Sequence, residues 1–492
     1  YNRTFGRHAL DGAVNFHISG YNGDGYFSYK YHYANLNGRI NYSYDDRYVA
    51  EFGFSYFGND AYAKGNQWAF YPSVSAAWVL SNEAFLKDSK VVDLLKLRLS
   101  YGRSGFADSG ATGVLSNYSS NGRYLFKDYY TNSYVGSFYM GSGEGVWQSS
   151  LVHMFLANAG VHAEKSSKYN VGIDAELFGK LHLSADAFID KRTDILTLDN
   201  SMMGYYGKNY YFDNIGKMTN KGVELSAVWN DLRANWGYSI NGSVSFNRNK
   251  IDYMAEVAPA YSYNAQTGRP YGTLIGLVAD GFYDVDDFNA DGSLREGLPV
   301  SSYQNTVRPG DVKYRDLNRD GRIDDYDRTY QLYAAVPEIY YGFSVELKYR
   351  GFGVSAYFQG VAHSTLETTL SSIYQPLYGN DRNVSEYYME HRWSRFNTEG
   401  RYPRLTTLAN GNNYTQSSLW TENGNFLKLR TLQAYYKLPS KIARKLRMRE
   451  CSFYFRGLNL FSADHVGILD PEYVSTGYPS SRSYQIGLNV IF

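Results

Sequence analysis

The last residues of the chain alternate strictly between apolar and polar side chains, and this pattern constrains the fold more than any other feature. Gln485, Gly487 and Asn489 separate the apolar positions. Those apolar positions are Tyr484, Ile486, Leu488, Val490 and Phe492. A period of two residues is typical of a β-strand with one face in apolar surroundings and the other in water. The pattern therefore predicts a strand with two chemically different faces.

The same alternation recurs along the chain. It is clearest in residues 50–56, 70–78, 95–101, 169–177, 181–187, 236–246, 343–349 and 354–358. We count roughly 14 to 16 plausible strands in all, at the spacing that all-β folds show. Only residues 440–446, which follow Pro439, favour a helix, and that helix is short. The sequence thus predicts an all-β, antiparallel fold.

Short and long connections separate these segments. The short turns are predicted at residues 44–47, 178–180 and 350–352. The long connections are rich in Gly, Asn, Ser and Tyr and cover about residues 103–165, 247–336 and 359–425. Short turns on one side and long loops on the other are typical of transmembrane β-barrels of the outer membrane. We therefore expect residues 1–492 to form a single β-barrel domain portion with three long extracellular loops.

A soluble β-sandwich or β-helix would give the same alternation, and the polar positions help to distinguish the folds. Lys96, Arg98, Asp186 and Asp190 lie on the polar sides of their segments, without a partner that the sequence identifies. A dry core does not tolerate unpaired charges, whereas a water-filled lumen does. The sequence therefore favours a membrane barrel whose apolar faces contact lipid.

Composition narrows the functional classes. The chain has 49 Lys and Arg and 48 Asp and Glu, and this net charge of +1 argues against a nucleic-acid partner. One Cys excludes a disulfide framework and a Cys-based metal site. The sequence contains no apolar stretch of about 18 residues, so we expect no transmembrane helix. We also expect no signal peptide at Tyr1. Aromatic residues make up 17% of the chain, which suits belts of Tyr and Trp at two membrane interfaces.

Several blocks along the chain carry a family resemblance. Among them are RINYSYDDRYVAEFGF (39–54), FYPSVSAAWVLSNEAFL (70–86), RPGDVKYRDLNRDGRIDDYD (308–327), LWTENGNFLKLRTLQAYYKLP (419–439) and DPEYVSTGYPSSRSYQIGLNVIF (470–492). Their order and the aromatic last residue are specific to one family. The chain resembles, nearly end to end, the C-terminal barrel portion of the SusC-like TonB-dependent outer-membrane transporters (SusC/RagA type) of Bacteroidetes.

The resemblance implies a barrel of about 22 strands around an N-terminal plug. It also implies active import of oligosaccharides or oligopeptides across the outer membrane. The TonB complex would supply the energy, and a SusD-like surface lipoprotein would close over the barrel. The family's plug, TonB-contacting segment and first strands have no counterpart in this sequence, so we expect a C-terminal fragment of such a transporter.

Residues 316–327, DLNRDGRIDDYD, have the spacing of an EF-hand-type calcium loop without its two helices. The predicted ligands are Asp316, Asn318, Asp320, the backbone carbonyl of Arg322, and Asp327, which replaces the usual closing Glu. A solvated turn rich in Asp, Asn and Gly is the alternative. The spacing predicts a structural Ca²⁺ that stiffens a long extracellular loop. Residues 287–294 repeat half of the pattern, but Leu298 takes the closing position, so we do not expect a second site there.

The sequence offers no catalytic constellation. Its His residues lack metal-binding spacing, no GxSxG elbow is present, and the Gly-rich turns at 23–26 and 141–145 are not phosphate loops. We expect no enzymatic activity. Tyr and Phe clusters within 129–139, 205–212 and 374–378 are candidates for stacking on sugar rings or peptide side chains, although interfacial belts and loop packing explain most of them.

Two functions remain open from the sequence. The first is the barrel portion of a TonB-dependent importer in the outer membrane, in contact with lipid. The second is a secreted or surface calcium-stabilised carbohydrate-binding β protein without a role in transport. Dependence on detergent distinguishes the two, because only a membrane barrel needs it.

Overall fold

The computed structural model consists of strands joined by turns and loops, with two short helices. It describes residues 1–22, 30–106, 124–141, 146–199, 211–233, 235–368, 375–377, 382–467, 469–472 and 480–492. The helices are α1 (Glu386–His391) and α2 (Ser440–Lys445), and α2 confirms the short helix predicted after Pro439. No helix in the described part of the chain combines the length and apolar character needed to cross a membrane.

The strands vary in length from two to 21 residues. In chain order they are β1 (Asn2–Phe5), β2 (His8–Asn22), β3 (Lys30–Tyr44), β4 (Tyr48–Asn59), β5 (Trp68–Val79), β6 (Val92–Ser104), β7 (Tyr129–Met140), β8 (Val146–Phe155), β9 (Lys165–Leu177), β10 (Leu181–Leu198), β11 (Phe212–Leu232), β12 (Trp236–Tyr253), β13 (Thr273–Gly276), β14 (Ala279–Phe282), β15 (Val300–Ser301), β16 (Val312–Tyr314), β17 (Arg322–Ile323), β18 (Thr329–Ala334), β19 (Ile339–Tyr349), β20 (Phe352–Ala362), β21 (Thr365–Glu367), β22 (Thr421–Asn423), β23 (Phe426–Lys437), β24 (Glu450–Asp464) and β25 (Ser483–Ile491).

Fifteen strands of the described residues form one large sheet, in the order β1-β2-β3-β4-β5-β6-β9-β10-β11-β12-β19-β20-β23-β24-β25. Neighbouring strands follow each other along the chain and pair antiparallel, as in β2–β3, β9–β10 and β24–β25. This number lies within the predicted range. The other strands pair two by two within the long connections. One such pair, β7–β8, lies within residues 103–165, which the sequence predicted to be a loop. The prediction missed this hairpin because a mixture of Tyr, Ser, Asn and Gly does not distinguish a strand from a loop.

Contacts between residues divide the chain into two compact units. Unit 1 contains residues Tyr1–Leu225, Arg248–Ala258 and Gln266–Gly268. Unit 2 contains residues Ser226–Asn247, Pro259–Ala265 and Arg269–Phe492. The expectation that residues 1–492 form one domain stays a prediction.

Three tight turns join consecutive strands of the large sheet. Their central residues all have positive φ: 51° and 52° at Asp45–Asp46, 58° and 62° at Phe178–Gly179, and 46° and 91° at Arg350–Gly351. Two consecutive left-handed residues give a turn the twist that matches its flanking strands. The structure thus confirms the three short turns that the sequence predicts.

The registers keep apolar and polar residues on opposite faces. Between β24 and β25, Ile486 lies opposite Phe455, and the neighbouring Gln485 lies opposite Arg456. The pairing of β6 with β9 preserves the same separation. A shift by one residue would bring apolar side chains to the polar face, so the alternation itself fixes the register.

Glycines lie under aromatic rings on the polar face of unit 2. A Cβ atom on Gly353 would lie 2.2 Å from the ring of Tyr435, its neighbour on β23. A Cβ atom on Gly487 would lie 2.3 Å from the ring of Tyr454 on β24. Each ring covers backbone that a glycine leaves bare, and this pairing stabilises curved sheets.

Candidate functional site

The apolar face of β19, β20, β23, β24 and β25 is exposed. Leu347, Phe352 and Ile486 expose 56%, 60% and 88% of their surfaces. On the same face, Phe343 stacks on Phe358 with 4.6 Å between ring centroids. Water-soluble proteins rarely expose a continuous apolar surface of this extent. This face is therefore a candidate lipid-contact surface.

Two tryptophans mark the ends of an apolar band on β4 and β5 in unit 1. Trp68 stacks on Tyr56 at 4.8 Å between ring centroids, and Trp78 lies beside Tyr48 at 6.5 Å. Trp68 and Trp78 are ten residues apart on one strand, which corresponds to about 33 Å. A strand tilt of about 40° reduces this length to about 25 Å, the height of the lipid-facing band of outer-membrane barrels. The two pairs therefore have the separation of aromatic girdles at two membrane interfaces.

The polar face of unit 1 carries paired charges. The Arg98 guanidinium donates to both carboxylate oxygens of Asp174 at 2.8 and 3.0 Å and to those of Asp186 at 3.0 and 2.9 Å. Asp190 accepts a hydrogen bond from the Ser166 hydroxyl. The structure therefore gives Arg98, Asp186 and Asp190 partners that the sequence did not identify. Sequence reasoning missed the partners of Arg98 because they lie on strands 76 and 88 residues further along the chain.

A buried ion cluster holds the segment before β25 in unit 2. The Lys428 side chain is only 5% exposed, and its Nζ lies 2.5 Å from Asp470 and 2.7 Å from Glu472. Burial alone would raise the pKa of Asp470, but hydrogen bonds from Lys428 and Ser480 lower it to about 2. The stabilisation by this carboxylate is lost only as the pH falls towards that value. The Asp470 carboxylate therefore stays ionised across the physiological range.

Two long connections of unit 2 pack on each other. We call residues 269–336 and 382–423 the loop module. The N–H of Leu277 donates to the carbonyl of Gln416 at 3.0 Å, and the N–H of Ser418 donates back to the carbonyl of Leu277 at 2.9 Å. These bonds join two segments that are more than a hundred residues apart in sequence. The predicted loops are thus ordered structure with their own pairing.

The loop module has an apolar core. Leu277 and Val312 are fully buried and belong to the same hydrophobic cluster, together with Tyr314 and Ile323. Tyr388 stacks on Tyr402 at 5.0 Å, and Tyr402 lies on Trp420 at 6.0 Å. Burial raises the pKa of the Tyr388 hydroxyl above its ordinary value. These rings serve packing, because their faces are already covered.

A buried carboxylate ties the two segments of the module together. Asp311 is fully buried, and its Oδ1 lies 2.7 Å from Nε of Arg404. The side-chain amides of Asn410 and Asn413 donate to the same oxygen at 3.1 and 2.9 Å. The Oδ1 of Asn413 in turn accepts the N–H of Val312 at 2.9 Å. A buried carboxylate needs such partners, so this cluster fixes the fold of the module.

We predict that Asp311→Asn loosens the loop module. The change leaves the Arg404 guanidinium without its counter-charge and should cost about 3 kcal/mol of local stability. Hydrogen exchange of the backbone amides in 300–336 should accelerate by about 100-fold, the ratio that this free energy represents. Asp286→Asn, on an exposed turn of the same module, is the matched control. Equal exchange rates in the two variants would show that the carboxylate does not hold the module.

The predicted calcium ligands lie in one tight loop of the module. Asp316 accepts the N–H of Gly321 at 2.8 Å, and Asn318 Oδ1 accepts the N–H of Asp320 at 3.0 Å. Asp320 Oδ1 accepts the N–H of Arg322 at 2.8 Å. Gly321 has φ of 84°, as the sharp turn at the sixth position requires. Each oxygen retains lone-pair capacity beyond its backbone hydrogen bond.

The Asp327 carboxylate closes this loop by accepting hydrogen bonds from backbone N–H groups. It is fully buried and accepts the N–H groups of Leu317 at 2.7 Å and Asp324 at 3.0 Å. Within the described ranges, no group of three or more His, Cys, Asp and Glu side chains converges on a position for a metal ion. Calcium coordination by the five predicted residues stays a prediction.

Two oxygens beside the loop have no hydrogen-bond partner among the described residues. They are Oδ1 of Asn264 and the hydroxyl of Tyr263, and both atoms are buried. The Asn264 amide is attached to the loop end, because its Nδ2 donates to the carbonyl of Arg328 at 2.6 Å. Partial burial and the charges of Asp327 and Asp316 raise the pKa of Tyr263. Buried oxygens without a protein partner commonly bind an ordered water or an ion.

The half-motif at 287–294 differs from the main loop. Nζ of Lys313 lies 3.3 Å from Oδ1 of Asp287, the first residue of the half-motif. A cationic side chain of the protein therefore already neutralises that carboxylate. This contact adds a physical reason to the expectation that the half-motif is no calcium site.

The predicted aromatic clusters are only partly described. Tyr205, Tyr206, Tyr210, Tyr374 and Tyr378 and the side chains of Tyr129 and Tyr134 lie outside the described residues. Tyr130 stacks on His153 at 4.4 Å, and Tyr139 meets the edge of Trp147 at 5.6 Å. These two contacts are loop packing within the β7–β8 hairpin.

The family of the chain follows from comparison with known proteins. A family model described as "TonB dependent receptor-like, beta-barrel" matches residues 1–413. The chain belongs to this family. Members of the TonB-dependent receptor family are outer-membrane transport proteins and not enzymes, which confirms the predicted outer-membrane localisation and the prediction that the chain is not an enzyme.

Individual relatives extend over nearly the whole chain. TonB-dependent receptor P26 of Formosa agariphila is 25% identical over 484 residues, which cover 93% of this chain and 46% of that protein. TonB-dependent receptor SusC of Bacteroides thetaiotaomicron is 25% identical over 480 residues, which cover 92% of this chain and 43% of that protein. The chain thus spans about half the length of the curated relatives it matches.

A solved structure confirms the fold. The structure of the RagAB peptide transporter superposes with a TM-score of 0.73 at 18% identity, over 100% of this chain and 54% of that chain. The SusC/RagA-type resemblance and the predicted all-β fold, that of a TonB-dependent receptor barrel, are therefore both confirmed.

For this TonB-dependent receptor barrel we predict that the two faces of β25 respond differently to charge. Ile486→Lys or Leu488→Lys places a charge on the apolar face and should destabilise the barrel by about 2–4 kcal/mol near mid-bilayer. Gln485→Lys, on the polar face, is the control and should change little. Unfolding by urea in lipid vesicles measures the difference. Equal stability of the three variants would contradict the assigned faces.

Proposed function

We propose that this chain is the barrel portion of an outer-membrane importer for oligosaccharides or oligopeptides. In this proposal the TonB complex supplies the energy, and a SusD-like surface lipoprotein covers the extracellular side. Residues 1–492 form one barrel portion, with long loops around 103–165, 247–336 and 359–425 outside the cell. The observation that carries the proposal is the exposed apolar sheet face in a chain of this transporter family.

The direction of the loops supports the extracellular assignment. β20 starts at the tight turn Arg350–Gly351 and ends at Ala362, where the long segment to β23 begins. In outer-membrane barrels the short turns are periplasmic and the long loops are extracellular. The loop module therefore belongs on the outer side, where cargo and a lipoprotein arrive.

Both cargo classes remain within the proposal. The solved relative RagAB is by its name a peptide transporter, and at 18% identity it supports the fold alone. Backbone and hydroxyl groups of a peptide or glycan would find hydrogen-bonding partners on the polar strand faces, where charges such as Arg98 and Asp186 remain 30% and 18% exposed. In the alternative, a secreted carbohydrate-binding protein, the exposed apolar sheet face would contact water, which is unfavourable.

We predict that loss of the gene abolishes growth on one oligomer class. Growth of a deletion strain of the source organism is compared with growth of the parent strain and of the complemented deletion strain. The carbon or nitrogen sources are a panel of oligosaccharides and a panel of oligopeptides. Growth should fail on members of one panel and stay normal on the corresponding monomers, which cross porins. A protonophore should stop uptake by the parent, because TonB-dependent import needs the inner-membrane gradient. Unchanged growth on both panels would contradict the proposal.

We also propose that the loop 316–327 binds one structural Ca²⁺ through Asp316, Asn318, Asp320, the carbonyl of Arg322, and Asp327. The spacing of these oxygens and the unpartnered Asn264 Oδ1 beside them support this site. Calcium would supply the positive charge that lets these oxygens converge, and the protein would supply the loop geometry.

Calorimetry with Ca²⁺ on the chelator-treated protein in detergent tests this site. We expect one binding event, weakened at least tenfold in Asp316→Asn, since removal of a ligand charge lowers calcium affinity. Asp291→Asn in the half-motif is the matched control and should bind as the parent does. Absence of heat at millimolar Ca²⁺ would rule the site out.

A further inference from the structure

A groove lies on the apolar face of unit 1, where β5, β6, β9 and β10 run side by side. Its volume is about 520 Å³, within the range of ligand sites. One row of paired residues crosses it, in which Ala76 lies opposite Leu99, Leu99 opposite Val171, and Val171 opposite Ala187. Leu99 and Val171 remain 63% and 55% exposed, so the described part of the chain leaves the groove open.

Two tyrosines border the groove on the side of the long connections. Tyr101 lies opposite Tyr169, and their ring centroids are 5.0 Å apart. Val74 and Ile189 extend this row on either side, opposite Tyr101 and Tyr169 respectively. Tyrosine is enriched at the level of the lipid headgroups. This row therefore has the chemistry of the boundary between hydrocarbon and headgroups.

The next row of the same face is basic. Residues two apart on a strand share a face, so Arg103 follows Tyr101, and Lys191 follows Ile189. Arg103 and Lys191 both lie opposite Ser167, one from each neighbouring strand, and both are exposed. Their backbones are therefore two strand spacings apart, about 10 Å. Side chains of this length can both reach one anion that lies over the small Ser167.

The surroundings of this row keep an excess of positive charge. Asp252 on β12 attracts Lys191, but Nζ of Lys250 lies 3.0 Å from the same carboxylate. The Thr219 hydroxyl also donates to Asp252 at 2.5 Å. Because Lys250 already neutralises this carboxylate, Arg103 and Lys191 retain positive charge for a ligand.

The height of the basic row corresponds to a membrane surface. Lys191 lies ten residues after Leu181, where β10 begins after the tight turn at Phe178–Gly179. Ten residues span about 33 Å along a strand, and a tilt of about 40° reduces this length to about 25 Å. This is the height of the apolar band of an outer-membrane barrel. With the tight turn at the periplasmic surface, the basic row lies at the extracellular surface.

We propose that this groove binds one phosphate-bearing lipid of the outer leaflet. An acyl chain lies along the row from Ala76 to Ala187, and the phosphate lies between Arg103 and Lys191. This rests on the proposed function, which directs the long connections out of the cell. Arg and Lys are the side chains that bind phosphate, and no other molecule of the membrane combines a phosphate with an acyl chain at this spacing.

The position of the groove in the sheet favours lipid as its occupant. Members of this family lie in the outer membrane, where the apolar strand faces of barrels contact lipid. A further strand of the same protein would pair at an edge of the sheet, whereas β5 lies four strands inward of the edge strand β1. A lipid molecule satisfies both the apolar row and the basic row.

The experiment measures binding of diphosphoryl lipid A to the delipidated whole transporter in detergent, with bound lipids counted by native mass spectrometry. The parent should bind one molecule. Arg103→Gln combined with Lys191→Gln should weaken binding about 30-fold, about fivefold for each cation. Ala187→Trp fills the groove and should weaken binding at least about tenfold, the effect of excluding two methylene groups. Lys64→Gln, on the exposed connection between β4 and β5, and Ala356→Trp, on the apolar face of β20, are the matched controls.

A dephosphorylated probe tests which part of the lipid the cations recognise. Lipid A without its phosphates should bind the parent as weakly as the intact lipid binds the double variant. Equal affinity of the two lipids for the parent would overturn the phosphate site. Binding by the double variant and by Ala187→Trp that equals binding by the two controls would also overturn the proposal.

Uptake of oligomers by the parent decides the proposed function separately. A parent that imports its cargo but binds no lipid A would overturn the lipid site alone. A parent that binds the lipid at Arg103 and Lys191 but imports neither oligomer class would overturn the importer and leave the lipid site intact. Heat-modifiable migration on gels shows that each variant has folded, so a loss of binding reports on the site itself.

Discussion

In hydrocarbon every backbone N–H and C=O must find its partner within the protein, since lipid offers none. Between its edge strands β1 and β25, the large sheet meets this requirement by giving each strand a hydrogen-bonded neighbour on both sides. Because the side-chain period is two, this backbone arrangement presents alternate residues to opposite faces. The exposed apolar face, the aromatic pairs at Trp68 and Trp78, and the tight turns all follow from that one constraint.

The opposite, polar face of the sheet is stabilised by contacts between side chains of neighbouring strands. Polar and charged side chains there are paired across strands, as Arg98 is with Asp174 and Asp186. Rings of Tyr435 and Tyr454 cover glycines on adjacent strands. Such cross-strand pairs stabilise a sheet whose polar side is hydrated. The face that would meet cargo is therefore already ordered by contacts within the protein.

The loop module is built like a small water-soluble domain. It lies in connections where neither lipid nor the large sheet supplies a core, so it buries Leu277, Val312 and Trp420 for itself. A buried Asp311 with Arg404 and two asparagines then fixes how its segments meet. These contacts hold the two segments of the module in one arrangement.

The sequence by itself determined the local features. Period-two alternation predicted the strands, the short breaks between alternating segments predicted the tight turns, and Pro439 predicted the start of α2, because each of these features depends on residues a few positions apart. The sequence did not predict β7, β8 or the last residues of β12, because these stretches are polar and lack alternation. The alternation was recognised only to residue 246, whereas β12 continues to Tyr253. The spacing of 316–327 identified a closed loop, and calcium binding there stays a prediction, since the oxygens that would coordinate the ion also accept backbone N–H groups.

Only the tertiary structure decided which distant residues meet. Arg98 finds Asp174 across 76 residues, and Asp311 finds Asn413 across 102. Alternation fixes the face of a side chain but not its neighbour on the next strand or in another loop. Those pairings depend on strand register and loop closure, and these are set by the sum of contacts over the whole fold and by no short stretch of sequence.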